Sequence, residues 1–437
     1  MFIFLLLSQA TWTKQVIFNW PAPNGGDVTI ADLDGDGDLD IAACATDIYD
    51  DYPYLYVFWY EGSRAFTAQA MPKGAAGLAL GDLDGDMDVD IVFSGEEYIS
   101  WYENTSWTEH LLDQAYGSYA MDVDVADTDG DGDLDIIQSR ESVNATSPMK
   151  LFENIGGGSF VARDIAYHDR ADGVAPADYD GDFDIDIAVV SGRPDWPGRG
   201  ISVYEQVSAS SWTEHAITFL GDDYDDWYID CGDVNGDGRP DFMTPWPRIY
   251  FNQGGFSFTP VNLDNWGHTT TMRFRGGCDL ADIDGDGDLD ALVQAGSESM
   301  VTPRVVVFYN DGAGNFPTAD TVDLTHTPYI SGIQAANMNP EEDDCVDIVT
   351  NGATQLAIYW CLPLEVTEDG QAEMVRIVPG LGSFSLLLSS PARVEAYDAT
   401  GRLVERRDCF RARENFNVNP GVYLIKVGKE ILRVAVP

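Results

Sequence analysis

Positive charge is scarce in this sequence of 437 residues. It holds 24 lysines and arginines against 74 aspartates and glutamates, which gives a formal net charge of −50. This acidic excess argues against nucleic acid and anionic membranes as partners, because both would repel the chain. Residues 1–364 carry the whole excess, whereas residues 365–437 hold ten basic and ten acidic residues. The break in composition predicts a domain boundary near residue 364.

Closely spaced cysteine pairs are also missing. The six cysteines form no CxxC, so a zinc site is not expected. Either Cys231 with Cys278 or Cys345 with Cys361 could form a disulfide in an oxidising compartment. Buried free thiols are the open alternative.

Long hydrophobic runs are absent beyond the first residues. No stretch approaches the ~18 apolar residues of a membrane helix, so no membrane span is predicted. Residues 1–10, MFIFLLLSQA, are typical of a secretory signal, with Ser8 and Ala10 at the small positions before a cleavage site. The segment is short and lacks a basic start, so it could be truncated, and a buried first strand is the alternative. No segment has the length and 3.6-residue period of an amphipathic helix, which favours an all-β fold.

Catalytic signatures are missing as well. The sequence contains five histidines and no Ser-His-Asp order, HExxH motif or nucleotide-binding loop. Carboxylates are too numerous for one acid/base pair to stand out. No catalytic residue is assigned, and the sequence favours a protein without enzymatic activity while leaving that question open.

A nine-residue acidic segment is repeated along the chain. It reads DLDGDGDLD from Asp32, and a degenerate seventh copy begins at Asn337. The other copies begin at Asp82, Asp127, Asp178, Asp233 and Asp282. Steps of 45 to 55 residues between copies indicate a propeller or another repeat array.

Each period contains four short apolar or aromatic stretches separated by turn residues, which is typical of a propeller blade. The stretch WTKQVI at 12–17 resembles WTEHLL at 107–112 and WTEHAI at 212–217, which are fourth strands in their periods. The seventh period lacks a fourth strand of its own. We therefore predict a seven-bladed β-propeller over residues 11–364, in which the N-terminal strand completes the last blade.

The acidic loops predict calcium sites. Positions 1, 3, 5 and 9 supply side-chain oxygens and position 7 supplies a backbone carbonyl, and Ca²⁺ prefers this oxygen-only set of six to eight ligands. The predicted metal-site residues are Asp32, Asp34, Asp36, Asp38 and Asp40; Asp82, Asp84, Asp86, Asp88 and Asp90; Asp127, Asp129, Asp131, Asp133 and Asp135; Asp178, Asp180, Asp182, Asp184 and Asp186; Asp233, Asn235, Asp237, Arg239 and Asp241; and Asp282, Asp284, Asp286, Asp288 and Asp290. About six sites are expected, with weak or no binding at the seventh loop. Extracellular calcium modules bind with Kd ~10⁻⁴–10⁻³ M, so a location outside the cell follows.

Position 6 of these loops requires a sharp turn that favours glycine. Glycine occupies it in four copies, at Gly37, Gly132, Gly238 and Gly287. Met87 and Phe183 replace it in the other two, and we expect strained backbone there.

With its repeated DLDGDGDLDI-type loop followed by a WYEN-type strand, the chain resembles the FG-GAP/VCBS repeat family of integrin-α-like seven-bladed β-propellers. The resemblance covers about 350 residues. It implies the propeller fold and calcium binding, but members include adhesins, lectin-like proteins and accessory domains of polysaccharide enzymes.

The last 44 residues resemble the C-terminal sorting domain of type IX secretion substrates. The matching motifs are YDATGR, with Asp398 and Gly401, and PGVYLIKV, with Gly421 and Tyr423. The resemblance implies a small β-sandwich within residues 365–437, contact with the secretion machinery, and export to the cell surface or beyond. An accessory β-sandwich without a sorting role is the alternative.

In propellers of this type, the face opposite the acidic loops is the default binding surface. Aromatic and basic residues there would suit stacking on a sugar or docking of a protein. The candidate ligand-binding residues are Tyr116, His168, Arg170, Trp196, Trp227, Trp266, His268 and Arg273.

These observations favour a secreted or surface-displayed adhesion or ligand-binding module for a glycan or an extracellular protein. One alternative is a polysaccharide lyase or hydrolase with its active site on that opposite face. The other is a structural surface-layer component.

Overall fold

The structure is a computed structural model in which most of the propeller and the backbone of the C-terminal strands can be described. It describes residues 11–21, 25–45, 54–95, 97–114, 118–142, 148–167, 171–191, 200–208, 210–218, 228–263, 276–295, 304–323, 330–340, 345–352, 354–362, 365–368, 371–380, 383–388, 392–398, 403–409, 413–417, 421–427 and 430–436. Within these ranges every regular element is a β-strand, and no helix is found that could cross a membrane.

Seven four-stranded sheets form the blades of a propeller. The first described strand is β1 (Thr11–Asn19). Blade 1 contains β2 (Gly25–Ala31), β3 (Asp40–Ala45), β4 (Tyr54–Tyr60) and β5 (Phe66–Ala70). Blade 2 contains β6 (Gly77–Gly81), β7 (Asp90–Ser94), β8 (Tyr98–Glu103) and β9 (Thr108–Gln114). Blade 3 contains β10 (Ser118–Ala126), β11 (Asp135–Ser142), β12 (Met149–Asn154) and β13 (Phe160–Ala166).

The second half of the ring repeats the same order. Blade 4 contains β14 (Gly173–Ala177), β15 (Asp186–Ser191), β16 (Gly200–Ser208) and β17 (Ser211–Thr218). Blade 5 contains β18 (Asp230–Gly232), β19 (Asp241–Thr244), β20 (Arg248–Asn252) and β21 (Phe258–Asn262). Blade 6 contains β22 (Cys278–Ala281), β23 (Asp290–Ala295), β24 (Arg304–Tyr309) and β25 (Thr318–Asp323). Blade 7 adds β26 (Ile330–Ala336), β27 (Asp347–Gly352) and β28 (Gln355–Leu362).

The N-terminal strand supplies the missing fourth strand of blade 7. The sheet order is β1-β28-β27-β26, as the sequence predicts. Asn351, fully buried in β27, accepts a 2.8 Å hydrogen bond from Nε1 of Trp20. Its Nδ2 lies 2.6 Å from the carbonyl oxygen of Cys44 and 2.9 Å from that of Asp27. One amide therefore joins the last blade to the first.

The hydrophobic core lies between successive blades. The second strand of each blade is buried on both faces, which is why runs such as IAACA and IAVVS are continuously apolar. Between blades 1 and 2, Leu55 and Val57 pack in one cluster with Ile91 and Phe93. Equivalent clusters fill the next four junctions. The blades are thus held together by apolar burial, at about 1.5–3 kcal/mol for each fully buried large side chain.

The first strands of the blades line the inside of the ring. Each one contacts the first strand of the next blade, and β26 contacts β2. This approach is close where the ring closes: a Cβ added to Gly332 would lie 2.6 Å from the backbone nitrogen of Val28. Only glycine fits at that point, because no larger residue has room against the neighbouring backbone.

Residues 365–436 contain two four-stranded antiparallel sheets. The first has the order β29-β30-β31-β34 and the second β33-β32-β35-β36. Their strands are β29 (Glu365–Glu368), β30 (Gln371–Gly380), β31 (Ser383–Leu388), β32 (Ala392–Asp398), β33 (Leu403–Cys409), β34 (Arg413–Asn417), β35 (Gly421–Val427) and β36 (Glu430–Val436). The chain divides into two compact units, one of 14–283 with 288–359 and the other including 360–437.

Candidate metal centre

The acidic loops connect the first and second strands of the blades. Their carboxylates hold the loop backbone through repeated hydrogen bonds. In the first loop, Asp32 accepts from the backbone nitrogens of Gly35 (2.8 Å) and Gly37 (3.0 Å). Asp34 accepts from the nitrogen of Asp36 at 3.2 Å. Loops 2 and 3 repeat these three bonds, and each loop is therefore a turn built around its own side chains.

The aspartate at position 9 differs from the others because it is buried. Asp90 is fully buried at the start of β7. Its Oδ2 accepts from the backbone nitrogen of Leu83 at 2.9 Å, and its Oδ1 accepts from that of Asn104 at 2.8 Å. The position-9 residues of loops 1, 3, 4, 5 and 6 accept equivalent pairs of bonds. Position 9 thus ties the loop to the third strand of its blade.

The carboxylates of the first four loops also converge. In loops 1, 2 and 3, one oxygen from each residue at positions 1, 3 and 5 lies within 4.8 Å of the others. In loop 4, the residues that meet this distance are Asp178, Asp180 and Asp186. Three acidic oxygens so close repel one another unless a cation lies among them. The structure therefore brings together three of the five predicted ligands in each of these four loops.

The raised pKa values of the loop aspartates also favour a bound cation. Burial and the neighbouring carboxylates raise the pKa of Asp34, Asp84 and Asp129, each at position 3. Burial raises the pKa of Asp90 to about 6, although two backbone N–H groups oppose this rise. A divalent cation in the loop would stabilise the charged form of these groups.

The donor set fits a hard cation. It consists of carboxylate oxygens, which suit Ca²⁺ and exclude soft-metal chemistry. In loop 2, Oδ1 of Asp88 is shielded from solvent and has no hydrogen-bond partner in the described part of the chain. A buried carboxylate oxygen without a donor costs free energy, and a bound cation would remove that cost.

The structure bears out the predicted strain at position 6. Met87 and Phe183 adopt left-handed backbone conformations, with φ of 75° and 76°. Glycine in loops 1 and 3 has φ of 97° at the same position. Both large side chains are 91% exposed, so no packing contact offsets the strain.

Loops 5 and 7 depart from the pattern. In loop 5, Arg239 at position 7 forms a 2.5 Å ion pair with Asp237, so an internal cation neutralises one acid. In loop 7, the buried Asp347 still accepts from the backbone nitrogen of Met338 at 3.1 Å. This hydrogen bond of the final aspartate therefore persists, although Asn337 and Asn339 replace the aspartates at positions 1 and 3.

The eight candidate ligand-binding residues lie outside the described residues. These are Tyr116, His168, Arg170, Trp196, Trp227, Trp266, His268 and Arg273. The possible signal segment, residues 1–10, also lies outside them.

Two histidines are described, and both lie on outer strands. His110 stacks on Trp101 at 4.4 Å between ring centroids, and its Nε2 lies 3.1 Å from Glu103. His215 stacks on Phe256 at 4.0 Å. These contacts give both side chains a structural role.

The cysteine alternatives are partly resolved. Cys231 is a free thiol in this structure and forms no disulfide with Cys278, and its Sγ donates to the carbonyl oxygen of Pro176 at 3.6 Å. The buried Cys44 is likewise free, and it accepts a hydrogen bond from the backbone nitrogen of Asp27 at 3.1 Å.

Sequence reasoning missed a second acidic group, on the inner strands. We call Asp27, Asp122, Asp124, Asp230 and Asp279 the channel carboxylates. Part of their surface stays accessible, although they lie deep within the ring of blades. Their signal was available, because each stands three or five residues before an acidic loop.

Four of the five channel carboxylates bridge neighbouring blades. Asp27 accepts from the backbone nitrogen of Leu78 in blade 2 at 3.1 Å. The same contact runs from blade 3 to 4, from blade 5 to 6, and from blade 6 to 7. Bulges in β2 and β10 turn Asp27 and Asp122 toward the next blade. These groups therefore stabilise blade junctions while placing like charges inside the ring.

Comparison with known proteins supports this architecture. The family model described as FG-GAP-like repeat matches residues 32–93, 82–137 and 178–244. No curated protein shows significant sequence similarity to the chain.

Three solved structures resemble it at low identity. PorZ, a surface component of the type IX secretion system of Porphyromonas gingivalis, aligns with a TM-score of 0.50 and 12% identity, over 97% of this chain and 61% of its own. The extracellular domain of a two-component-system protein from B. thetaiotaomicron aligns with a TM-score of 0.49 and 10% identity, over 98% of this chain and 58% of its own. U3-55K aligns with a TM-score of 0.48 and 10% identity, over 79% of this chain and 98% of its own.

The chain thus spans 58% and 61% of the first two structures. At such identities the likeness concerns the fold alone. The family match and the seven sheets agree with each other, and the chain carries FG-GAP-like repeats on a seven-bladed β-propeller.

Proposed function

We propose that the protein is a secreted or surface-displayed β-propeller that binds calcium at its acidic loops and serves as an adhesion or ligand-binding module. The supporting observation is the repeated carboxylate cluster, with three oxygens within 4.8 Å in each of the first four loops. Calcium at these loops would remove the repulsion among them and rigidify one face of the ring. The opposite face would then be presented to a glycan or an extracellular protein.

The calcium component is tested by titrating the full chain with Ca²⁺ in a calorimeter. We expect about six ions per chain, with affinities in the ~10⁻⁴–10⁻³ M range of extracellular modules. Asp127→Asn should remove one ion, because it removes a carboxylate from loop 3. Asp164→Asn is the matched control in the same blade, since Asp164 lies on the outer strand with 48% of its side chain exposed. Absence of calcium binding to the parent chain would refute this component.

The ligand component is tested on arrays of glycans and extracellular proteins, with calcium and with a chelator. We expect calcium-dependent retention on a defined ligand class, lost on replacing Trp266 and Arg273 with alanine. Cleavage of a polysaccharide would instead favour the lyase or hydrolase alternative. Self-association into sheets without any ligand would favour a surface-layer role.

Residues 365–437 are proposed to form a β-sandwich that directs export. The two four-stranded sheets support this proposal, as does the PGVYLIKV motif, most of which forms β35. In a host with a type IX system, the full chain should reach the surface or the medium, whereas a chain ending at residue 364 should stay in the periplasm. Equal export of both chains would contradict the sorting role.

A further inference from the structure

A buried side-chain amide lies within two residues of the end of the third strand in blades 2 to 6. These residues, which we call the amide links, are Asn104, Asn154, Gln206, Asn252 and Asn310. Each is at most 5% exposed. They occupy one register in the blades. In each blade the residue after position 9 pairs with a residue of the third strand, and the amide link lies two residues beyond that partner. Their recurrence therefore belongs to the repeat itself.

Asn154 shows what these amides contact. Its backbone nitrogen donates to Asp135, the position-9 residue of loop 3, at 2.7 Å. Its Nδ2 donates to the carbonyl oxygen of Leu134 in the same loop at 3.2 Å. The same Nδ2 donates to the carbonyl oxygen of Leu83 in loop 2 at 2.7 Å. One residue thus holds two adjacent acidic loops.

The other links repeat this arrangement. Asn104, Asn252 and Asn310 bond position 2 of the preceding loop at 2.6–2.8 Å and position 8 of their own loop at 2.8–3.1 Å. Gln206 bonds position 2 of loop 3 at 2.9 Å. Five links therefore connect loops 1 to 6 in series. Tyr60 and Cys361 stand at the equivalent positions in blades 1 and 7.

Each link acts on the part of the loop that positions its ligands. In loop 2, the carbonyl of Leu83 accepts from Asn154 while its nitrogen donates to Asp90 at 2.9 Å. Asp90 in turn accepts from the nitrogen of Asn104, whose amide reaches the carbonyl of Leu33 in loop 1. An unbroken path of hydrogen bonds therefore runs from one loop to the next.

A second contact reinforces the path. The turn between the third and fourth strands of blade 3 lies over loop 2. A Cβ added to Gly158 would lie 2.9 Å from the Trp101 ring and 3.2 Å from the Cβ of Asp84. A Cβ added to Gly314 in blade 6 would likewise lie 3.2 Å from the Cβ of Asn235 in loop 5. Both turns therefore lie close against the acidic loop of the preceding blade.

We propose that the five amide links make calcium binding cooperative between adjacent loops. A calcium-free loop is pushed open by its own carboxylates, and its opening displaces positions 2 and 9, to which the links are bonded. A filled loop fixes those positions and so holds the next loop in its binding conformation. The inference rests on calcium binding as proposed above, and it adds that the six sites respond as a linked series.

The test is a calcium titration of the full chain, in which an optical or calorimetric signal gives the binding isotherm. We expect a Hill coefficient of about 2 for the parent chain. Asn252→Leu keeps the backbone bond to Asp241. It removes the two bonds that Nδ2 donates to loops 4 and 5, and also the bond that Oδ1 accepts from the backbone nitrogen of Gly254. It should lower the Hill coefficient toward 1 and raise the midpoint about fivefold, the lower end of usual allosteric coupling.

The matched control is Gln253→Leu, in the next residue. Among the described residues, this exposed side-chain amide donates to the carbonyl oxygen of Phe251 alone, at 3.1 Å. The control should bind calcium as the parent does. The conservative variant Asn252→Gln should restore part of the coupling, because Gln206 bonds a preceding loop from the same register.

The outcomes separate the two proposals. No calcium bound by the parent would overturn both calcium binding and coupling. About six ions bound with a Hill coefficient of 1 in the parent would overturn coupling and leave calcium binding intact. The Hill coefficient of the parent chain is measured without any variant. The coupling can therefore be refuted even if Asn252→Leu fails to fold.

Discussion

Asn351→Ala is expected to lower the free energy of unfolding by about 3–5 kcal/mol, because buried backbone acceptors and an indole N–H lose their partner together. The parent amide reaches carbonyl oxygens in β2 and β3 and accepts from Trp20, and all of these groups meet at the ring closure. Water cannot replace the amide easily, since Asn351 is fully buried.

Equilibrium denaturation with urea in excess calcium measures this effect. Gln355→Ala is the control, because Gln355 lies on the adjacent β28 and makes one exposed 3.4 Å contact with Asn19. The control should stay within about 0.5 kcal/mol of the parent, as most exposed substitutions do. A loss below 1 kcal/mol in Asn351→Ala would mean that the closure depends on apolar packing alone.

Acidification of the chelated protein from about pH 8 to pH 5 should raise its Tm by about 5–10 °C. Burial raises the pKa of Asp27 to about 6 and that of Asp124 to about 7, both above the ordinary 3.8. Burial raises the pKa of Asp122 as well, with repulsion from Asp27 as the next cause.

The sign follows from proton binding. Between about pH 4 and pH 7 the folded state holds more protons than the unfolded state, so stability falls as the pH rises through this window. The buried position-9 aspartates act in the same direction when calcium is absent. Calcium should oppose the trend, because protons compete with it for the loops.

Thermal unfolding across the pH range measures the effect, with and without chelator. Asp124→Asn should flatten the profile of the chelated protein by removing one titrating group. Asp164→Asn on the outer strand should leave the slope unchanged. A chelated protein that becomes less stable on acidification over this range would contradict the predicted role of the inner carboxylates.

The sequence predicted the repeating loops and the strand that closes the ring, and it missed side-chain contacts between separate segments. The blade count follows from the number of repeats, and the convergence of Asp32, Asp34 and Asp36 follows from the spacing within one loop. The structural role of Asp90 was hidden because one of its partners, the nitrogen of Asn104, lies on a different strand. Asn154 was overlooked for the same reason, since its partner in loop 2 is 71 residues away.

The backbone conformation at position 6 could be predicted from the sequence because the turn itself determines it. Turn geometry fixes the sign of φ, and the left-handed backbone of Met87 follows from that alone. The channel carboxylates required knowledge of which strands face inward. Their spacing of three or five residues before an acidic loop places them inside the ring only once the propeller fold is assumed.

The ring closure has a kinetic consequence. Trp20 and Asn351 are 331 residues apart, and their contact requires the two ends of the propeller to meet. Proteins dominated by such distant pairings fold slowly, because the entropy of closing the chain is lost before the contacts form. Blades 1 to 6 can assemble from neighbouring hairpins, whereas blade 7 must wait for both ends of the propeller. Folding should therefore show a late phase that reports on β1, and Asn351→Ala should slow that phase.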